Sequence, residues 1–80
     1  MTVVVRLYAA LAGKRSPGIR AGDPIGTVLP DGAAVADLLS RLGLTTADVQ
    51  TAFVNGRAQP LDHVLVEADE VGIFPPVGGG

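Results

Sequence analysis

The apolar positions of this chain change their period from one stretch to the next. From Val3 to Tyr8, Val3, Val4, Val5, Leu7 and Tyr8 are interrupted only by Arg6. A run this rich in β-branched and aromatic residues predicts a strand buried on at least one face and suited to a central place in a sheet. Ala9 to Ala12 predicts a short helical turn ending at Gly13, and Lys14-Arg15-Ser16-Pro17-Gly18 reads as loop. Gly22, Asp23, Pro24 and Gly26 break the next segment into short extended pieces, of which Ile25 to Leu29 is the best second strand. Val35, Leu38, Leu39 and Leu42 then fall at i, i+3, i+4 and i+7, which aligns them on one face of a helix. Gly43 can take the left-handed conformation that ends helices, whereas no Ser, Thr, Asn or Asp stands immediately before Ala34 as a cap.

Strand patterning returns after the helix. Thr51-Ala52-Phe53-Val54, Asn55-Gly56 and Arg57-Ala58-Gln59 read as strand, primed turn and short strand, because both turn positions require positive φ. Pro60 stops the hairpin, and Leu61 to Leu65 forms a turn or a single helical turn. Glu67 to Glu70 then leads into a last strand, Val71 to Phe74. One amphipathic helix of about three turns cannot hide its apolar stripe alone, so it must lie on the apolar face of the sheet. The leucines are expected in that core. No internal repeat or second domain boundary interrupts this order.

Composition narrows the chemistry. Eighty residues, nearly half of them hydrophobic, make one folded domain with a single small core. The formal charge of −2 offers no basic field for a phosphate backbone, so nucleic acid is not an expected partner. Without cysteine there is no disulfide, thiol nucleophile or thiolate ligand, and His63 alone cannot build a metal site. No Ser or second His stands in a catalytic spacing with it, so a turn or surface histidine is the expected reading. The apolar runs are too short for a membrane helix and the start lacks a basic leader, from which a cytoplasmic location is expected.

The end of the chain is unusual. Val71-Gly72-Ile73-Phe74 feeds through Pro75-Pro76 and Val77 into Gly78-Gly79-Gly80. The prolines stiffen the exit toward an extended path, and the glycines add reach without bulk. Glycines are costly to order and have nothing to pack within the chain, so a partner is expected to order them. A frayed terminus or a cloning remnant is the plain alternative. Prolines set directly on an apolar strand argue for a functional tail.

These blocks together resemble sulfur carriers of the MoaD/ThiS type, with a ubiquitin-like β-grasp fold. The resemblance runs over nearly the whole chain: Arg6-Leu7-Tyr8-Ala9, Leu29-Pro30-Asp31-Gly32 before an Ala-Asp-Leu-Leu helix, Leu42-Gly43-Leu44, Val54-Asn55-Gly56, Ala68-Asp69-Glu70-Val71, and Phe74-Pro75-Pro76-Val77 with terminal glycines. The last block is the most specific and is closest to the small subunit of molybdopterin synthase. The fold it implies is α+β: a mixed sheet of about four to five strands with one main helix on one face, over residues 1–76, and a flexible glycine tail over 77–80. Two departures stand out. Ala68 occupies a position where many relatives have Gly, which predicts a turn there without positive φ, and Gly78 makes three terminal glycines in place of two.

The resemblance implies that Gly80 carries the reactive carboxylate. An ATP-dependent adenylating enzyme related to ubiquitin activators would adenylate it, and sulfur from a cysteine desulfurase or rhodanese type donor would turn it into a thiocarboxylate. Gly78 and Gly79 would lead the terminus into the partner's active site, and Phe74, Pro75, Pro76 and Val77 would form the entrance contact. The acceptor would be the large subunit of a synthase, most specifically that of molybdopterin, with no bound cofactor and ATP used only by the activating partner. A carboxylate is a poor acyl electrophile, and a mixed anhydride with AMP supplies the leaving group it lacks. This chain has no catalytic constellation of its own, which makes it a co-substrate or subunit more than an enzyme. Other destinations remain open: thiamine thiazole or another thio-metabolite, a ubiquitin-like modifier joined through Gly80 to lysines, or a noncovalent module with an inert tail. Lys14 is the only lysine of the chain and reads as a solvated side chain.

Overall fold

In a computed structural model, described over residues 1–8, 11 and 20–76, two strands distant in sequence meet at the middle of one sheet. β1 (Thr2–Leu7) alternates strictly, with Val3, Val5 and Leu7 fully buried on one face. It pairs antiparallel with β2 (Pro24–Val28), and parallel with the last strand, β5 (Glu70–Phe74), in the register Val5↔Val71 and Leu7↔Ile73. The hairpin β3 (Thr51–Val54) and β4 (Arg57–Gln59) continues the sheet antiparallel to β5, giving the order β2-β1-β5-β3-β4. The described residues thus form a five-stranded mixed sheet carrying one α-helix, the β-grasp architecture expected from the sequence. β5 takes the centre and β1 lies beside it. The turn expected over 9–12, apart from Leu11, and the loop over 14–18 lie outside the described residues.

Helix α1 (Val35–Arg41) buries Val35, Leu38 and Leu39 against the sheet. Its end follows the sequence closely. Gly43 adopts φ +76, its N–H donates to the Ser40 carbonyl, and the Leu44 N–H donates to the Leu39 carbonyl at 2.9 Å. That pair of bonds is a Schellman motif, and it draws Leu44 into the core. Its start is solved differently. Ala34 has no side chain that can accept a bond, but its own N–H donates to Asp37 Oδ2 at 2.8 Å. The next donors, Val35 N–H and Ala36 N–H, reach the carbonyls of His63 and Leu61 at 3.0 and 2.8 Å. An Ala34↔Val64 bridge completes the link. Groups that a capping side chain would satisfy are therefore satisfied by a loop nearly thirty residues away.

Two turns complete the frame. Asn55 (φ +51) and Gly56 (φ +84) form the expected primed turn between β3 and β4. Ala68 corrects the sequence expectation, because it sits at φ +69. Residues 66–69 make a tight turn closed by Asp69 N–H to the Val66 carbonyl at 3.2 Å, with Ala68 third, a place that a type II turn reserves for positive φ. Ala68 N–H also donates to the Thr2 carbonyl at 2.8 Å, and Asp69 Oδ2 accepts from Val66 N–H. The junction with β1 imposes the conformation, and alanine bears its cost. A 3-10 turn, Thr46–Asp48, joins helix to hairpin, with the Asp48 carboxylate accepting from the Thr45 N–H and hydroxyl.

The β2 edge is guarded against further strands at both of its ends. Met1 and Leu29 exchange both backbone bonds, so by alternation Pro24, Gly26 and Val28 turn their backbone groups outward. Pro24 has no N–H to offer, and the Val28 carbonyl is taken by Arg41 Nη2 and Nε at 3.1 and 3.3 Å. Proline and a charged side chain on an edge are recognised guards against strand addition.

Candidate functional site

Alternation that points Val71 and Ile73 into the core turns Glu70, Gly72 and Phe74 to the opposite face of β5. The same rule puts Arg6 and Tyr8 on that face beside β1, and Phe53 there on β3, so all three aromatic residues of the chain come together. The Tyr8 and Phe74 rings stack, centroids 4.4 Å apart and planes within 3°. Phe53 meets Phe74 edge-on at 5.5 Å and 76°. The edge-on arrangement suits the ring quadrupole.

Gly72 is the floor of this cluster. Its register partners are Arg6 on one side and Phe53 on the other, and a Cβ built on it would lie 3.3 Å from Tyr8 Cε2 and 3.6 Å from Phe74 Cε1. A side chain here would contest the space the rings occupy. Arg6, Tyr8, Phe53, Gly56, Glu70, Gly72 and Phe74 bound a shallow, mainly apolar depression of about 300 Å³. Arg6 Nη1 donates to the Gly22 carbonyl at 2.6 Å, and Nη2 lies 4.0 Å from Glu70 Oε1. Glu70 is well exposed and Arg6 partly so, and at 4.0 Å the ion pair orients Arg6 more than it stabilises the fold.

Phe74 is also where the sheet ends. Its carbonyl accepts from Gln50 N–H at 2.8 Å, while the Ile73 carbonyl accepts from Tyr8 N–H at 3.1 Å, so neighbours on both sides hold the strand to its last residue. Pro75 and Pro76 follow, one half-buried and one exposed, and neither can donate a further ladder bond. Of the residues the sequence singled out, Phe74, Pro75 and Pro76 are thus placed at the strand exit. Val77, Gly78, Gly79 and Gly80 lie outside the described residues. Sequence reasoning missed Tyr8, Phe53 and Gly72 as partners of Phe74. Two signals were available: the opposite parity of the aromatics to their buried neighbours, and a glycine inside a strand, which often marks a close approach.

The described residues contain no group of three or more His, Cys, Asp or Glu able to hold a metal, and no helix long and apolar enough to cross a membrane. His63 is a turn residue: its N–H donates to the Pro60 carbonyl and its carbonyl accepts from Val35.

Residues 21–80, which include the aromatic strand, the prolines and the terminal glycines, match the sequence profile of the ThiS family. The chain belongs to the ThiS family. Among solved structures, it is similar to a Pyrococcus furiosus protein provisionally named molybdopterin converting factor, subunit 1. The two are 30% identical with a TM-score of 0.74, over 96% of this chain and 99% of the other. The Haloferax volcanii protein HVO 2177 is 25% identical with a TM-score of 0.76, over all of this chain and 87% of its own. SAMP1 of Haloferax volcanii shares the fold at 22% identity and a TM-score of 0.74, with both chains fully covered. No curated protein sequence gives a significant match.

Proposed function

We propose that this ThiS-family chain is a sulfur carrier whose Gly80 carboxylate is adenylated by an ATP-dependent, ubiquitin-activator-like enzyme and converted to a thiocarboxylate. The observation that carries the reading is the strand exit: the sheet holds β5 on both sides up to Phe74, and two prolines then launch a tail that lies within the family match. Rigidity to the last strand residue followed by side-chain-free reach suits delivery of a backbone carboxylate into a narrow site. The carboxylate oxygen attacks the α-phosphorus of ATP and pyrophosphate leaves. The outer sulfur of a donor persulfide, of cysteine desulfurase or rhodanese type, then displaces AMP to give an acyl disulfide, and a second thiol attacks the donor sulfur of that bond, leaving a disulfide on the donor side and releasing the thiocarboxylate. The aromatic face beside the exit, with Phe74, Pro75 and Pro76 at its rim, is the docking contact for the activating enzyme and for the large subunit of a synthase. Dithiolene formation in molybdopterin is the destination we favour, supported by the Pro75-Pro76-Val77 block and by the likeness to the Pyrococcus protein.

Intact mass after incubation with activating enzyme, ATP and a sulfur donor tests the reading. A shift equal to the difference between sulfur and oxygen, abolished by deleting Gly80, is expected. Absence of the shift under conditions that adenylate the chain would refute it. The fold shared with small archaeal modifier protein 1 keeps a second reading in view, conjugation through Gly80 to lysines of other proteins. In that case adducts resistant to reducing agents form in place of the thiocarboxylate.

A further inference from the structure

Asn55, the only asparagine in the chain, precedes Gly56 at the tip of the β3–β4 hairpin, and its side chain is more constrained than a turn requires. Nδ2 donates to Asp69 Oδ1 at 2.9 Å, and Oδ1 accepts from Glu70 N–H at 2.9 Å. The Asn55 N–H donates to the Glu70 carbonyl at 2.8 Å. Asp69 is itself buried, and its other oxygen accepts from Val66 N–H at 2.9 Å. The amide thus fastens the hairpin tip to the start of β5. Gly56 has nothing within 4 Å of where a Cβ would stand, and it carries no side chain of its own to hinder an approach to its backbone.

We propose that Asn55-Gly56 is a deamidation site gated by the fold, and that its product cannot remake the link to Asp69. The Gly56 backbone nitrogen attacks Asn55 Cγ, the side-chain amide leaves as ammonia with the proton from that nitrogen, and a five-membered succinimide forms. Water then opens the ring at either carbonyl, giving aspartate or isoaspartate. Water is the only co-reactant. In the closed hairpin both polar atoms of the amide are bound toward β5, so ring closure first requires those bonds to break. Modification therefore proceeds from the locally open fraction. Afterwards a carboxylate oxygen stands where Nδ2 stood. It faces the buried Asp69 carboxylate at hydrogen-bonding distance, with like charge and no donor between them. Isoaspartate further lengthens the backbone of a two-residue turn. Either product loosens the hairpin that paired the unmodified chain.

The test ages the full-length chain in mildly alkaline buffer, native and in strong denaturant, and follows peptide masses across residues 55–56 for replacement of NH by O. Conversion roughly tenfold or more slower in the native sample is expected, because protection equals the opening equilibrium. Equal rates in the two samples would overturn the gating. Independently, Asn55→Asp should melt below the parent, and adding Asp69→Asn should restore part of the loss by removing the like charge. An Asn55→Asp chain that melts with the parent would overturn the claim that the product cannot close.

Discussion

The two faces of the sheet are drawn from the same strands, residue by alternate residue, yet they carry different chemistry. Toward the helix, Val3, Val5, Leu7, Val71 and Ile73 meet Val35, Leu38 and Leu39, and among the described residues every fully buried large side chain is aliphatic. Away from the helix stand Tyr8, Phe53 and Phe74, the whole aromatic complement of the chain, and Phe74 keeps 37% of its surface exposed. Aromatic side chains bury the most apolar area per residue, and a domain of this size has a small core to spend them on. Placing all three outside that core leaves stability to aliphatic packing and presents a rigid apolar surface at the strand exit. Aromatic rings serve interfaces well because they offer large area with few torsions to freeze.

The comparison is tested most severely on the inner face. Leu38→Ala should cost about 2–5 kcal/mol, a large share of the stability of a domain this small. Urea unfolding measures it, and a loss below about 1 kcal/mol would mean that the helix is not the lid of the core. Phe74→Ala should cost less, about 1–2 kcal/mol, because the ring is partly exposed and contributes chiefly its two ring contacts. Its larger effect should fall on binding to the activating enzyme, measured by titration of a chain shown to be folded. Equal costs for Leu38→Ala and Phe74→Ala would erase the distinction between the faces.

Two milder changes sharpen it. Ala68→Gly touches neither face and relieves a left-handed alanine, so it should raise stability by about 0.5–1 kcal/mol, read from the urea midpoint. Gly72→Ala should leave stability within about 0.5 kcal/mol, since the backbone entropy gained in the strand offsets crowding under the rings. It should nonetheless shift the Tyr8 and Phe74 ring resonances. Unmoved rings would show that Gly72 is not their seat.

Much of this was legible because it is local. Strand β1, the hairpin and the helix stripe each follow from residues within one turn or one pleat of each other, and the C-terminal Schellman motif needs only Gly43 and Leu44 in sequence. The exit residues Phe74, Pro75 and Pro76 were legible for the same reason: a strand signal runs straight into prolines. What escaped was set by distant partners. Tyr8 and Phe74 are more than sixty residues apart, and nothing in either local pattern says that β1 and β5 lie side by side.

By itself the sequence determined the kinds of elements, their order, the stop of the helix, the Asn55-Gly56 turn and the family blocks that end in Gly80. Only the tertiary structure decided how the helix begins, where Ala68 sits and which aromatics meet. The physical reason is common to the three. Short-range hydrogen bonds and side-chain periodicity are written in neighbouring residues, whereas the carbonyls of Leu61 and His63 that hold the helix start, the Thr2 carbonyl that fixes Ala68, and the β1–β5 register that stacks Tyr8 on Phe74 come into place only when the chain closes on itself.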